Sequence, residues 1–154
     1  MNKSAFLFPG QGSQSKGMLG AFAVKLVVRD CFDEASDTLG YDLWDAIQHE
    51  SSIDITETYR TQPIILTCSI AIWRLWCANG GPKPDYVAGH SLGEWSALVC
   101  SNVVSFVDAI KMGDPMKNGL VDILVGTQII SKGHHFLSLI HISEPTRPLY
   151  ISYA

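Results

Sequence analysis

The sequence predicts an α/β fold organised around a parallel sheet with a nucleophile elbow, and three stretches carry that expectation. Gly89-His90-Ser91-Leu92-Gly93 has the form G-x-S-x-G, with the apolar run Tyr86-Val87-Ala88 before it and a helix-like segment from Glu94 to Cys100 behind it. Phe6-Leu7-Phe8 is a second short apolar run, and it breaks at Pro9 into a loop that holds Gly10 and Gly12. Ile64 to Trp76 is apolar nearly all the way round a helical wheel, interrupted by Thr67, Ser69 and Arg74, which is the pattern of a buried helix.

Taken in chain order, Phe6 to Phe8 forms a strand that Pro9 terminates. Val28 to Leu39 reads as an amphipathic helix with Cys31, Phe32, Ala35 and Leu39 on one stripe and Gly40 at its C′ position. Asp42 to Gln48 reads as a short helix in which Trp44 anchors the core. The helix from Ile64 stops at Asn79-Gly80-Gly81, and Pro82 and Pro84 enforce a loop. Tyr86 to Ala88 is then expected as a short buried strand. Ser105-x-x-Asp108 is an approximate capping box, so a final helix runs from there to Lys111.

The elbow is where chemistry is expected. A sharp strand-to-helix turn pushes a serine Oγ into the open, and flanking glycines relieve the crowding of the bend. The helix N-terminus adds backbone N–H groups and a positive dipole end where negative charge develops in acyl transfer. Ser91 is the candidate nucleophile; the alternative is a plain turn with a small N-cap. An oxyanion hole needs one donor from the residue after the nucleophile, Leu92, and one from a loop after another strand. The backbone N–H of Gln11 fits that second role, although the same loop also reads as an ordinary β-to-α connection.

Composition bounds the remaining classes. Hydrophobic residues make up 47% of the 154 and charged residues 17%, which suits a globular domain rather than a disordered one. A net charge of −4 gives no electrostatic footprint for nucleic acid. Cys31, Cys68, Cys77 and Cys100 show no C-x-x-C spacing, so neither zinc nor a disulfide framework is expected and a reducing cytoplasm fits. The apolar run Ala5 to Phe8 is too short for a signal peptide, and no stretch reaches the length of a membrane span. Adjacent His134 and His135 point in different directions and have no ligand-spaced partner, so no metal is expected.

Four strings together resemble the malonyl-CoA:acyl carrier protein transacylases of bacterial fatty-acid synthesis. They are FLFPGQGSQ at Phe6 to Gln14, FDEASDTLGYDLW at Phe32 to Trp44, TQPIILTCSIA at Thr61 to Ala71, and AGHSLGEWSALVC at Ala88 to Cys100. The resemblance runs from Met1 to about Lys111. It implies a partial acyltransferase domain, α/β-hydrolase-like, without the family's ferredoxin-like subdomain. It also implies that Ser91 takes a malonyl group from coenzyme A as an ester and passes it to the phosphopantetheine thiol of acyl carrier protein. In that reading malonyl-CoA is a substrate and no cofactor is bound. Gln11 and Leu92 would be the oxyanion donors, with His90 and Gln62 lining the pocket.

The same resemblance implies a histidine base and a carboxylate-gripping arginine, and neither occurs here in matching context. After Lys111 the expected helix gives way to Met112-Gly113-Asp114-Pro115. Lys117 lies near the arginine's place but cannot make a planar two-pronged contact, and it reads as a surface lysine. Pro115 to Phe136, with its apolar strand Val121 to Val125, resembles a stretch of the primosomal replication-restart helicase, yet no phosphate-binding P-loop accompanies it. Leu137 to Arg147 resembles a translated sequencing-library adapter, with His141 and Glu144 as surface residues if the tail is genuine.

The expected organisation is therefore residues 1–111 as the N-terminal part of a transacylase domain, 112–136 as a helicase-like fragment and 137–154 as a non-native tail. Three functions compete: malonyl transfer, much reduced in this polypeptide for want of a base; a serine esterase, which shares G-x-S-x-G; and a mis-assembled reading frame with no function.

Overall fold

Two short strands, β1 (Ala5–Phe8) and β2 (Tyr86–Gly89), pair in parallel with Ala5 opposite Tyr86 and Phe8 opposite Gly89 in the computed structural model, which describes residues 3–111. A parallel pair requires a long crossover, and here it carries three helices. These are α1 (Leu26–Leu39), α2 (Leu43–Ala46) and α3 (Thr58–Ala78), preceded by a 3₁₀ turn at Gly20–Phe22. After β2 come α4 (Gly93–Cys100) and α5 (Phe106–Lys111).

Helix α1 forms where the apolar stripe predicts it. Val28, Cys31, Phe32 and Ala35 are buried, and Gly40 closes the helix at φ 77°, a left-handed conformation that suits a residue without Cβ. Asp42 caps α2 by accepting the N–H of Asp45 at 2.8 Å. Trp44 then meets Phe32 edge-on at 5.0 Å between ring centroids, with the Arg29 guanidinium over its ring at 4.4 Å. Trp44 is thus a core anchor, as its position in the sequence suggests.

Helix α3 ends as expected, with Asn79 as its C-cap after Ala78, but it starts earlier than expected. It begins at Thr58, ahead of Pro63, because the fully buried Thr61 donates its hydroxyl to the carbonyl of Ile55 at 2.6 Å and pins an extra turn to the preceding loop. Continuous burial covers Thr61 and Pro63 to Ala71, after which the helix emerges and Trp76 is 39% exposed. Trp76 is held on the outside by its indole N–H, which donates to Pro82 O at 3.0 Å, and by the Phe6 ring at 5.4 Å. Arg74, which interrupts the apolar run, pairs with Glu34 on α1 and stacks over Phe106 of α5.

The expectation of a buried β2 is corrected. Tyr86 is 41% exposed and Ala88 is exposed, while Val87 and Gly89 are partly covered. On β1 the same alternation leaves Leu7 exposed and Phe8 buried. Side chains alternate between sheet faces, and among the described residues the helices cover one face: Phe6 packs on Trp73 of α3 at 5.1 Å. The capping box at α5 is present, with Ser105 Oγ accepting Asp108 N–H at 3.1 Å and donating to the Asp108 carboxylate at 2.6 Å. Among the described residues no helix is long and apolar enough to cross a membrane. The break at 112–115, Lys117, the strand at 121–125, His134, His135, His141, Glu144 and the segments 112–136 and 137–154 lie outside the described residues.

Phe32→Ala is expected to cost about 3–5 kcal/mol in urea unfolding, and Leu26→Ala, at an exposed position of the same helix, less than about 0.5 kcal/mol. Equal losses would contradict this core. Burial also pushes the thiols of Cys31 and Cys68 up to about 12 from 9.0. The folded chain therefore keeps protons that the unfolded chain releases, so this contribution is whole below pH 9 and fades as pH rises toward 12. At pH 8 iodoacetamide should label the exposed Cys77 first, with Cys31 and Cys68 protected until unfolding; uniform labelling of the native protein would contradict it.

Candidate active site

Parallel pairing brings the carboxyl ends of β1 and β2 out side by side, and in open α/β sheets that end is where ligands bind. With Phe8 opposite Gly89, the residues that follow each strand stay in step. His90 N–H donates to Phe8 O at 3.1 Å and locks the two exits together. Gly10 consequently lies against the elbow. A Cβ built there would stand 2.8 Å from His90 O and 3.4 Å from Ser91 Cβ.

The elbow is strained where the chemistry is expected. Ser91 has φ 59°, a left-handed conformation that costs a non-glycine residue about 1–2 kcal/mol. Its neighbours show why the turn tolerates no bulk. A Cβ on Gly89 would strike the carbonyl group of Gly93, and one on Gly93 would strike the Phe8 carbonyl at the end of β1. Helix α4 then opens with N–H groups turned back on the elbow: Gly93 to His90 O at 2.9 Å, Glu94 to Ser91 O at 3.0 Å and Trp95 to Leu92 O at 3.1 Å.

One expectation about Ser91 is corrected. Its Oγ does not stand in the open: the hydroxyl is shielded from solvent and has no hydrogen-bond partner among the described residues. The register brings the Pro9-Gly10 turn onto the elbow, with Gly10 close to Ser91 Cβ. A buried hydroxyl without a partner is destabilising by about 1–3 kcal/mol, so this atom is retained at a cost.

Of the other sequence-derived residues, His90 and Leu92 flank Ser91 in the elbow, and Gln11 is joined to the start of α3. Leu92 follows directly and is buried, and neither its N–H nor that of Gln11 donates to a described residue. Gln11 is held by its side chain, whose Nε2 donates to Thr58 Oγ1 at 3.3 Å at the start of α3. Gln62 stands one turn further along α3 than Thr58, half-buried. His90 is exposed, with its ring toward Gly10. Two residues escaped the sequence reading. Thr58 receives Gln11, and Lys16 ties the same loop to the segment after α2. Neither belongs to a motif, and both act through contacts distant in sequence.

A serine raised on a strained strand-to-helix turn, facing a glycine loop at the carboxyl ends of two parallel strands, is the arrangement of a nucleophile elbow. The chain belongs to the acyl transferase domain family, whose pattern matches residues 5–113. It is 50% identical over 113 residues to the malonyl CoA-acyl carrier protein transacylase of Salmonella typhimurium, a match covering 73% of this chain and 37% of that protein. It resembles the crystal structure of an acyl carrier protein S-malonyltransferase from Vibrio cholerae at a TM-score of 0.70 and 50% identity, covering 75% of this chain and 40% of that one. A malonyl-transacylase solved in complex with a type II polyketide synthase acyl-carrier protein is similar at a TM-score of 0.70 and 48% identity, covering 76% and 40%. The chain thus spans little more than a third of the length of the Salmonella relative.

Ser91→Gly is expected to raise stability by about 1 kcal/mol by releasing the positive φ, and Gly93→Ala to lower it by about 1–3 kcal/mol through the clash with β1. Chemical denaturation of both variants checks this. A destabilised Ser91→Gly would show that the elbow is not strained.

Proposed function

We propose that residues 1–111 carry the nucleophile half of a malonyl transfer site. The observation that carries it is Ser91 at positive φ between two glycines that admit no side chain, within 113 residues that are 50% identical to a malonyl transacylase. In the first half-reaction Ser91 Oγ attacks the thioester carbonyl of malonyl-CoA and gives up its proton to a base. The carbonyl oxygen takes the negative charge, and the N–H groups of Gln11 and Leu92 stabilise it. The tetrahedral centre then expels the coenzyme A thiol, which leaves with that proton, and a malonyl ester remains on Ser91. The phosphopantetheine thiol of an acyl carrier protein attacks that ester in the second half-reaction and restores the hydroxyl. His90 and Gln62 line the pocket.

By itself this polypeptide is inactive or nearly so. The family pattern ends at residue 113, and the base and arginine that the resemblance implies have no counterpart in matching context. Loss of a base costs about three to four orders of magnitude or more. Residues 112–136 are read as a helicase-like fragment and 137–154 as an adapter-like tail, joined to a transacylase start of cytoplasmic origin. Sequencing the source DNA across 111–115 and 136–137 tests that reading; contiguous genomic reads through both junctions would overturn it.

For the chemistry, residues 1–111 fused to the remaining length of the Salmonella relative should form a malonyl adduct with malonyl-CoA in intact-protein mass spectrometry, and Ser91→Ala should abolish it. The 154-residue chain should form it at least about a thousandfold more slowly. An adduct that survives Ser91→Ala would overturn the assignment. Turnover of a nitrophenyl ester by the fusion, with no transfer to carrier protein, would favour the esterase.

A further inference from the structure

The far end of the loop that bears Gln11 is anchored by a cation. Lys16 Nζ donates to three main-chain carbonyls, Ala46 O at 3.1 Å, Ser51 O at 3.0 Å and Ile53 O at 2.7 Å. An ammonium has three donors and no acceptor, so all three are used. Ala46 ends α2, where a helix leaves carbonyls without amide partners, and among the described residues no backbone amide donates to any of the three oxygens. Without the ammonium, three carbonyl dipoles would converge on one half-buried point with no positive charge between them.

The contacts continue from Lys16 to the elbow. Gly17 N–H, next in the chain, donates to Ile47 O at 2.6 Å. Gln14 Oε1 accepts the Gly12 N–H at 2.9 Å, and Ser13 Oγ donates to Gly10 O at 2.9 Å. Gly10 rests on His90 and Ser91. The loop is therefore a run of short hydrogen bonds with its far end fixed at Lys16 and its near end on the serine.

We propose that the carbonyls of Ala46, Ser51 and Ile53 form a site for a monovalent N–H-bearing cation, that Lys16 fills it from within the chain, and that this makes Lys16 the positioning residue for the Gln11 loop. The geometry of the cradle stands on its own; only the role of the loop rests on reading Gln11 as an oxyanion donor. A small ammonium ion fits where the side chain has been removed, whereas a quaternary ammonium, with no N–H to give, does not.

The test uses the 154-residue protein and its Lys16→Met variant, which keeps much of the aliphatic stem and loses the charge. Amide hydrogen exchange at Gly17 should quicken about tenfold or more in the variant, as for loss of a charged hydrogen bond, while the Val28 amide in α1 stays as in the parent. Ammonium chloride should restore protection at Gly17, and tetramethylammonium chloride at equal ionic strength should not. Unchanged exchange at Gly17, or equal effects of the two salts, would overturn the proposal. Should Lys16→Met not fold, the parent protein decides: the Lys16 ammonium N–H signal should persist in heteronuclear NMR where that of Lys25 is lost to exchange, and its loss alongside Lys25 would count against the cradle. None of these readouts depends on malonyl transfer, so they fail or succeed apart from the adduct experiment.

Discussion

The parallel register of β1 with β2 is the constraint on which the rest of the site depends. Phe8 opposite Gly89 sends two chains out of the sheet in step, so the turn after one strand must lie on the turn after the other. That brings Gly10 against Ser91 and requires Gly93 to clear the end of β1. A shift of one residue would reverse the faces of β1 and move Phe8 from the core to the bare side.

The helices serve that register. Helix α3 contributes the largest share of the core and presents Trp73 and Trp76 to Phe6, so β1 is seated on it with a defined face. Helix α1 is fixed to α3 by packing and by the Glu34–Arg74 pair, and α2 follows through Trp44 on Phe32. The end of α2 and the loop from it to α3 then supply the carbonyls that hold Lys16. The core thereby reaches the serine through a short succession of packed side chains and hydrogen bonds rather than through flexible linkers.

Much of this was legible because the signals are local. The two glycines of the elbow, the break at Pro9, the stripe on α1 and the Ser105 cap each act within a few residues, and each forms as read. What was not legible depends on partners far along the chain. Exposure of Leu7, Tyr86 and Ala88 depends on which sheet face the helices cover, and alternation alone does not name that face. Pro63 masks the first turns of α3, which Thr61 secures through Ile55. The shielded hydroxyl of Ser91 depends on the tertiary packing round the elbow, and the Lys16 cradle unites carbonyls 30 to 37 residues away; local sequence gives no hint of either.

The central claim is that strand register lays the first loop on the serine. A nuclear Overhauser spectrum of residues 1–111 within the intact chain tests it most directly. A cross-peak between Gly10 Hα and Ser91 Hβ, alongside the α1–α3 contacts of Phe32, is the predicted result; helix contacts present with no Gly10–Ser91 peak would contradict it.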